Sequence, residues 1–286
     1  MSVARLTIAS PICLTGNGLF TNEPGVIKIL PSTKPSGICF VSGTDRIPVH
    51  ISRLSTRPVH LAFEHMPPRC TSIGNGIVNI ATIEHLMSAL TGLGITDADL
   101  QITGPEIPIL DGSALPFVEA IINAGTQNLD QTIEPITIKE IIRVTHNDAS
   151  ITIEPAESPS YTYTLDYGSG SPIQASAARW SGDQEAYIKH IAPARTFCLK
   201  AEADAMRDAG LFTHLTPRDM LVIGSNGPIE NEYRFASECA THKLLDLIGD
   251  LALVGAPLSA KVSAEKSGHA LAHQAARAIL EQINTD

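Results

Sequence analysis

The sequence predicts an α+β chain in which one helix-and-sheet unit occurs twice. Three observations carry this. Short apolar runs punctuated by Gly and Pro fill both the first 60 residues and the stretch beyond Pro135. Each set is followed by the same order of helix, strand and helix. The length, 286 residues, suits two units of about 130 to 150 residues.

In the first unit the apolar runs Val26 to Leu30, Gly37 to Val41 and Ile47 to Ile51 read as strands. The segment I-A-T-I-E-H-L-M-S-A-L-T-G-L-G then places apolar residues at helical spacing, with Thr82 as the expected N-cap and Gly92 or Gly94 past the end. The strand A-D-L-Q-I-T follows, and after it the helix A-L-P-F-V-E-A-I-I-N-A-G, opened by Ser113 and Pro116. Around Asp130 the composition turns polar and strands begin again: I-T-I-K-E-I-I-R-V, A-S-I-T-I-E-P and Y-T-Y-T-L-D-Y. The second unit closes with a helix through T-H-K-L-L-D-L-I-G-D-L, the strand S-A-K-V-S-A-E-K and the helix H-A-L-A-H-Q-A-A-R-A-I-L. The expected division is 1–130 and 131–286.

Hydrophobic residues make up 43% of the chain and charged residues 17%, the balance of a globular protein. A net charge of −10 disfavours nucleic acid and loose attraction to anionic lipid, so any phosphate must be gripped locally. The five cysteines are far apart and form no C-x-x-C pair, as expected of reduced thiols. No signal-peptide pattern opens the chain, and the most apolar stretch, Leu244 to Leu258, carries Asp246 and Asp250 and is too short to span a bilayer. A cytoplasmic monomer with at most peripheral membrane contact is expected.

His242 and Asp246 are four residues apart, which stacks them on one helix face with Cβ atoms about 5 to 6 Å apart. His85 lies in the corresponding helix of the first unit. If the two helix layers meet, these three residues form an N, N, O donor set that leaves a fourth tetrahedral position open, as catalytic zinc requires. An H-x-x-x-D spacing also occurs in ion pairs and among satisfied core histidines. Asp246, however, interrupts an apolar face, where a carboxylate needs a cation. A metal is one such cation; Lys243 or an arginine is the other. Glu84, beside His85, can take a proton from water held at the open position. Asp250 and Glu238 are placed to hold the second nitrogen of a ligand imidazole, or to be a solvated face. His269, in K-S-G-H, opens the last helix, where the dipole should lower its pKa, and it can act as general acid or be merely structural. In A-R-T-F, Thr196 offers a hydroxyl to a developing oxyanion and Phe197 a wall.

Taken together, L-T-G-N-G-L at 14, T-I-E-H-L at 82, G-P-E-I-P-I-L-D-G-S-A at 104, A-R-T-F at 194, H-K-L-L-D-L-I-G-D-L at 242 and K-S-G-H-A-L at 266 resemble the UDP-3-O-acyl-N-acetylglucosamine deacetylases, zinc enzymes of lipid A biosynthesis. The resemblance covers nearly the whole chain. It implies two duplicated α+β domains forming a layered sandwich with helices facing each other between outer sheets. It also implies hydrolysis of the acetamide of a UDP-linked acylated amino sugar, with His85, His242 and Asp246 holding Zn²⁺. By the same resemblance Glu84 is the general base, His269 the general acid or electropositive partner, Asp250 the carboxylate that orients it, and Thr196 the residue that polarises the carbonyl. Phe197, Lys243, Tyr167 and Lys266 fall where the family contacts sugar, uridine or diphosphate, and residues 198–212 where an insert builds an acyl-chain tunnel. There, Leu199, Ala203, Met206 and Leu211 form the apolar side of an amphipathic segment. Two departures stand out: Phe20 where the family has histidine, and Gly168 to Ser171 where it has Asn-His-Pro. The catalytic residues fit a zinc deacetylase of another N-acyl amino sugar equally well, and the two departures fit a metal-binding paralogue without activity.

Overall fold

The structure is a computed structural model describing residues 2–42, 45–217 and 219–284. Along the first half run β1 (Val3–Ile8), the hairpin β2 (Ile12–Asn17) and β3 (Pro24–Pro31), and the hairpin β4 (Ile38–Ser42) and β5 (Asp45–Pro48). The short pair β6 (Ile73–Gly74) and β7 (Asn79–Ile80), helix α1 (Glu84–Gly92), β8 (Ala98–Thr103) and α2 (Leu115–Ala124) follow. The second half begins with β9 (Thr126–Ile133), β10 (Ile136–Thr137), β11 (Ile142–His146), β12 (Ala149–Pro155), β13 (Ser160–Leu165) and β14 (Ser176–Trp180). Then come α3 (Gln184–Ala186) with a π-helical turn over Tyr187–Ile191, β15 (Phe197–Leu199), α4 (Lys200–Asp208), β16 (Leu221–Gly224) and β17 (Gly227–Pro228). It closes with α5 (Glu238–Leu251), β18 (Leu258–Glu265) and α6 (His269–Asn284).

The repetition read from the sequence is a repetition of topology. One sheet has the order β2-β3-β8-β4-β5 and the other β11-β12-β18-β13-β14, with β10 also paired to β18. In each, the strand that follows the unit's first long helix enters the centre, antiparallel to one hairpin (β3–β8, β12–β18) and parallel to the other (β4–β8, β13–β18). The period-2 alternation explains the layering. Along β18, Leu258, Ala260, Val262 and Ala264 are buried while Lys261 and Glu265 are exposed, so one face is dry. The first sheet likewise buries Ile27, Ile29, Phe40 and Leu100 on one face. Helices cover both dry faces, giving the α+β sandwich expected.

Between the layers, α1 packs against α5. Every residue of α1 except Thr91 is buried, and every residue of α5 except Lys243, as befits helices enclosed on all sides. Burying leucines such as Leu244, Leu245 and Leu247 contributes about 1.5–3 kcal/mol apiece. The crossing is unusually close because α5 has Gly249 at the contact: a Cβ there would fall 2.0 Å from the Glu84 carbonyl oxygen.

Some boundaries differ from the sequence expectation. Thr82 does not cap α1. Its backbone is left-handed (φ 58°) and its hydroxyl donates to Glu106 Oε1 at 2.7 Å, so it anchors a loop instead. The same carboxylate accepts from the Phe20 and Thr21 backbone N–H groups, and Ile83, with no side-chain cap, precedes the helix. Gly92 is the last residue of α1, and Gly94 (φ 68°) makes the turn beyond it. Ser113 stands one residue before the Ala114 cap of α2 and accepts from Leu115 N–H at 3.2 Å, with Pro116 in the first turn. The run I-T-I-K-E-I-I-R-V breaks into β10 and β11. Residue 130 lies within β9, which pairs along β1. Among the described residues no helix is long and apolar enough to cross a membrane.

Candidate active site

The close α1–α5 crossing brings the three expected metal ligands together. His85 is the second residue of α1, while His242 and Asp246 lie one turn apart on α5. Asp246 Oδ1 is 3.4 Å from His242 Nε2 and 3.6 Å from His85 Nε2, and the two imidazoles are 5.0 Å apart at 84°. These separations are long for charge-assisted hydrogen bonds, which run about 2.7–2.9 Å. They match the edge of a tetrahedron about an ion with bonds of ~2.0–2.2 Å, roughly 3.3–3.6 Å. All three side chains are buried, and one donor atom of each lies within 4.8 Å of the others. The tautomer fits too: His242 Nδ1 lies 3.1 Å from the Ala194 carbonyl, to which its N–H donates, leaving Nε2 as a lone-pair donor. Burial pushes the His242 pKa down to about 3, so the ring is neutral. Asp246 stays ionised against the cost of its burial, because the Lys243 ammonium, 2.8 Å from Oδ2, favours the charged form. Lys243 thus pairs with one oxygen, and the other faces the two imidazoles, a donor group spaced so that it could hold a metal ion.

Beside the triad stand Glu84 and His269, the two side chains expected to move protons. Glu84 is 3% exposed, and burial, with Asp250 and Asp246 adding to it, raises its pKa to about 7 against the pull of His269 and His85. Its Oε2 accepts from the Thr71 backbone N–H at 3.0 Å. His269 Nε2 is 4.0 Å from Glu84 Oε1, and its Nδ1 is 2.9 Å from Asp250 Oδ2. The helix dipole does not set the His269 pKa. Burial acts to lower it, Asp250 more than offsets that with help from Glu84, and the result is about 9. A carboxylate in contact outweighs a helix terminus worth about 0.3–1 kcal/mol. Asp250 therefore serves His269 rather than a ligand imidazole. Glu238 serves neither: it is fully buried against Arg195, with Nε at 2.7 Å.

The remaining expected residues surround this core unevenly. The Phe197 ring is 6.1 Å from that of His242, and the Tyr167 ring is 6.4 Å from Phe197. Thr196, half-buried, lies between Ala194 and Phe197, both of which touch His242, and its N–H donates to the Gly112 carbonyl at 2.7 Å. A cavity of about 340 Å³ is lined by Tyr163, Tyr167, Gly168, Lys243 and Lys266, so four of these sequence-flagged positions share one hollow. Lys266 Nζ is 3.0 Å from Asp148 and 3.4 Å from Asp166 at its rim. Gly168 (φ 83°) and Gly170 (φ 98°) make the adjoining turn possible.

A family model described as UDP-3-O-acyl N-acetylglycosamine deacetylase matches residues 5–281. The chain belongs to that family. Among its relatives, the UDP-3-O-acyl-N-acetylglucosamine deacetylase of Leptospira biflexa serovar Patoc is 33% identical over 284 residues, spanning 98% of this chain and 91% of that protein. The deacetylase of Geobacter sp. (strain M21) is 36% identical over 286 residues (98% and 90%), and that of Nostoc sp. (strain PCC 7120) 34% over 283 residues (97% and 99%).

Within this deacetylase-family chain, α4 follows β15 as the amphipathic pattern implies. Ala203, Leu211 and Phe212 pack in a small separate cluster with Leu19, Phe20 and Phe63. Phe20, the departure noted in the sequence, lies 5.3 Å from the Phe63 ring and 5.8 Å from that of Phe212. Two residues at the site escaped the sequence reading. Thr71 Oγ1 is 2.5 Å from Asp250 Oδ1 and 2.7 Å from His273 Nε2. His273 carried a signal, its i+4 spacing from His269. Thr71, a loop residue distant in sequence from both, carried none.

Proposed function

We propose that the protein hydrolyses the acetamide of UDP-3-O-acyl-N-acetylglucosamine, releasing acetate, as a zinc-dependent deacetylase of lipid A biosynthesis. The observation that carries this reading is the buried His85, His242, Asp246 triad flanked on one side by Glu84 and His269. A donor set of two imidazoles and one carboxylate with a tetrahedral position left over is that of catalytic zinc. Zinc held there supplies Lewis acidity and acidifies water within the site toward a pKa of about 7.

The chain's own residues do the rest. Glu84, with a pKa of about 7, can accept a proton from the attacking water and release it again at neutral pH. His269, protonated up to about pH 9, holds positive charge beside the reacting carbonyl and donates a proton to the departing amine. Asp250 keeps it charged and oriented. The Thr196 hydroxyl donates to the oxygen on which negative charge develops. Tyr167, Phe197, Lys243 and Lys266 form the wall and hollow that receive sugar, uridine and diphosphate, the two lysines supplying the phosphate grip that the chain's net charge of −10 does not. The segment 198–212 receives the acyl chain, with Ala203, Met206 and Leu211 already gathered with Phe20 and Phe63 and Leu199 on the main core. The matching strand orders support two α+β units, and on this reading the chain divides near residue 131 and works as a cytoplasmic monomer.

The test is zinc content by elemental analysis of the purified protein together with acetate release from the UDP-linked substrate. Asp246→Ala should lose the metal. A full zinc complement in that variant, or no acetate release from the metal-loaded wild type, contradicts the reading.

A further inference from the structure

We infer that Thr71 is the positioning residue that holds both proton-transfer groups in register, a role that rests on the deacetylase reading above. Every polar group of this residue is engaged, and it is wholly buried. Its N–H donates to Glu84 Oε2 at 3.0 Å, and its carbonyl accepts from Ile83 N–H at 3.1 Å, the residue leading into α1. Its hydroxyl lies between α5 and α6, 2.5 Å from Asp250 Oδ1 and 2.7 Å from His273 Nε2. One loop residue thus ties together the three helices that carry Glu84, Asp250 and His269.

Proton counting fixes the direction of each bond. An ionised carboxylate only accepts, so the single hydroxyl proton of Thr71 goes to Asp250. His273 Nε2 must then be the donor to the hydroxyl oxygen, which requires its Nε2–H tautomer. Burial lowers the His273 pKa to about 4 and keeps that ring neutral. The chain runs His273 to Thr71 to Asp250, while the other oxygen of Asp250 receives His269 Nδ1–H at 2.9 Å. With Oδ1 held by Thr71, the carboxylate cannot rotate, and His269 is presented with a fixed ring orientation. The same residue's N–H aims Glu84. Placement to within a few tenths of an ångström matters because a misplacement of about 1 Å costs roughly 10²-fold in rate.

The decisive variants are Thr71→Val, which keeps the shape and removes the hydroxyl, and Thr71→Ser, which restores it. We expect Thr71→Val to lower kcat about 10- to 100-fold, the range for residues that orient a site's working groups, with KM and zinc content unchanged, and Thr71→Ser to recover most of the loss. A second measurement does not depend on turnover: the downfield imidazole N–H proton resonance of His269, bonded to Asp250, should move or broaden in Thr71→Val and return in Thr71→Ser. His273→Phe, which leaves the hydroxyl free to turn away from Asp250, should shift the same resonance. Wild-type kcat with an unmoved resonance in Thr71→Val overturns the inference, as does a loss that Thr71→Ser fails to repair. Absence of acetate release from the wild type would instead sink the deacetylase reading, and the resonance would still decide the role of Thr71.

Discussion

Replacing Gly249 by alanine sets two effects against each other, and the geometry decides between them. Helix propensity alone favours the change by about 1 kcal/mol, since Gly costs about that much relative to Ala within a helix. The new methyl, however, would sit 2.0 Å from the Glu84 carbonyl oxygen, 2.7 Å from its carbonyl carbon and 3.0 Å from its Cα. These are backbone atoms and cannot swing aside. Reaching the 3.4 Å of ordinary contact requires α1 and α5 to part by about 1.4 Å along that line. Overpacking of this kind costs about 1–3 kcal/mol, enough to cancel or reverse the propensity gain. The larger effect falls on the site, because Glu84 and His85 ride on the displaced helix. The 3.6 Å separation of His85 Nε2 from Asp246 Oδ1 would open toward about 5 Å, beyond the span of a tetrahedral ion. Gly249→Ala should therefore lower kcat/KM at least 10²-fold and weaken zinc binding, read by competition with a chromophoric chelator, with a urea midpoint at or below that of the wild type. A stabilised variant with wild-type zinc affinity would refute the claim that this contact sets the ligand spacing.

Four further outcomes follow from the same geometry. Glu84→Gln and His269→Gln should each reduce kcat by about 10² to 10⁴ with zinc retained, and unchanged turnover in either would remove that residue from the proton-transfer set. Activity should follow a bell against pH: Glu84 must be deprotonated to accept a proton, so the acidic limb lies near its pKa of about 7, and His269 must be protonated, so activity falls again through about 9. Both limbs should vanish selectively, the acidic one in Glu84→Gln and the alkaline one in His269→Gln. Arg195→Met should destabilise the fold by about 3–5 kcal/mol in urea unfolding, because it strands the fully buried Glu238 carboxylate without its guanidinium; a change below 1 kcal/mol would show that the pair is dispensable.

What could be read from the sequence was whatever is written in local periodicity. The i, i+4 stacking of His242 and Asp246, the span of β8 and the start of α6 at His269 depend on neighbours within a turn or a strand. The repeated helix, strand, helix order sufficed to bring His85 to the same point. The failures were long-range. Thr82 has the chemistry of a cap, but Glu106, 24 residues on, competes for its hydroxyl. Glu238 sits one turn from His242, yet Arg195 claims it. The pKa of His269 is raised rather than lowered because the carboxylate that governs it lies on another helix. Thr71 was invisible, since nothing in a loop announces that three helices converge on it.

Lys243 has a consequence for denticity. Its ammonium occupies Oδ2 of Asp246, leaving only Oδ1 turned toward the two imidazoles. A carboxylate clamped in this way can offer an ion one oxygen but not two. A metal held by His85, His242 and Asp246 would thus receive three donor atoms from the protein rather than four. A lysine whose charge opposes a cation's would in this way leave room for water beside the three donors.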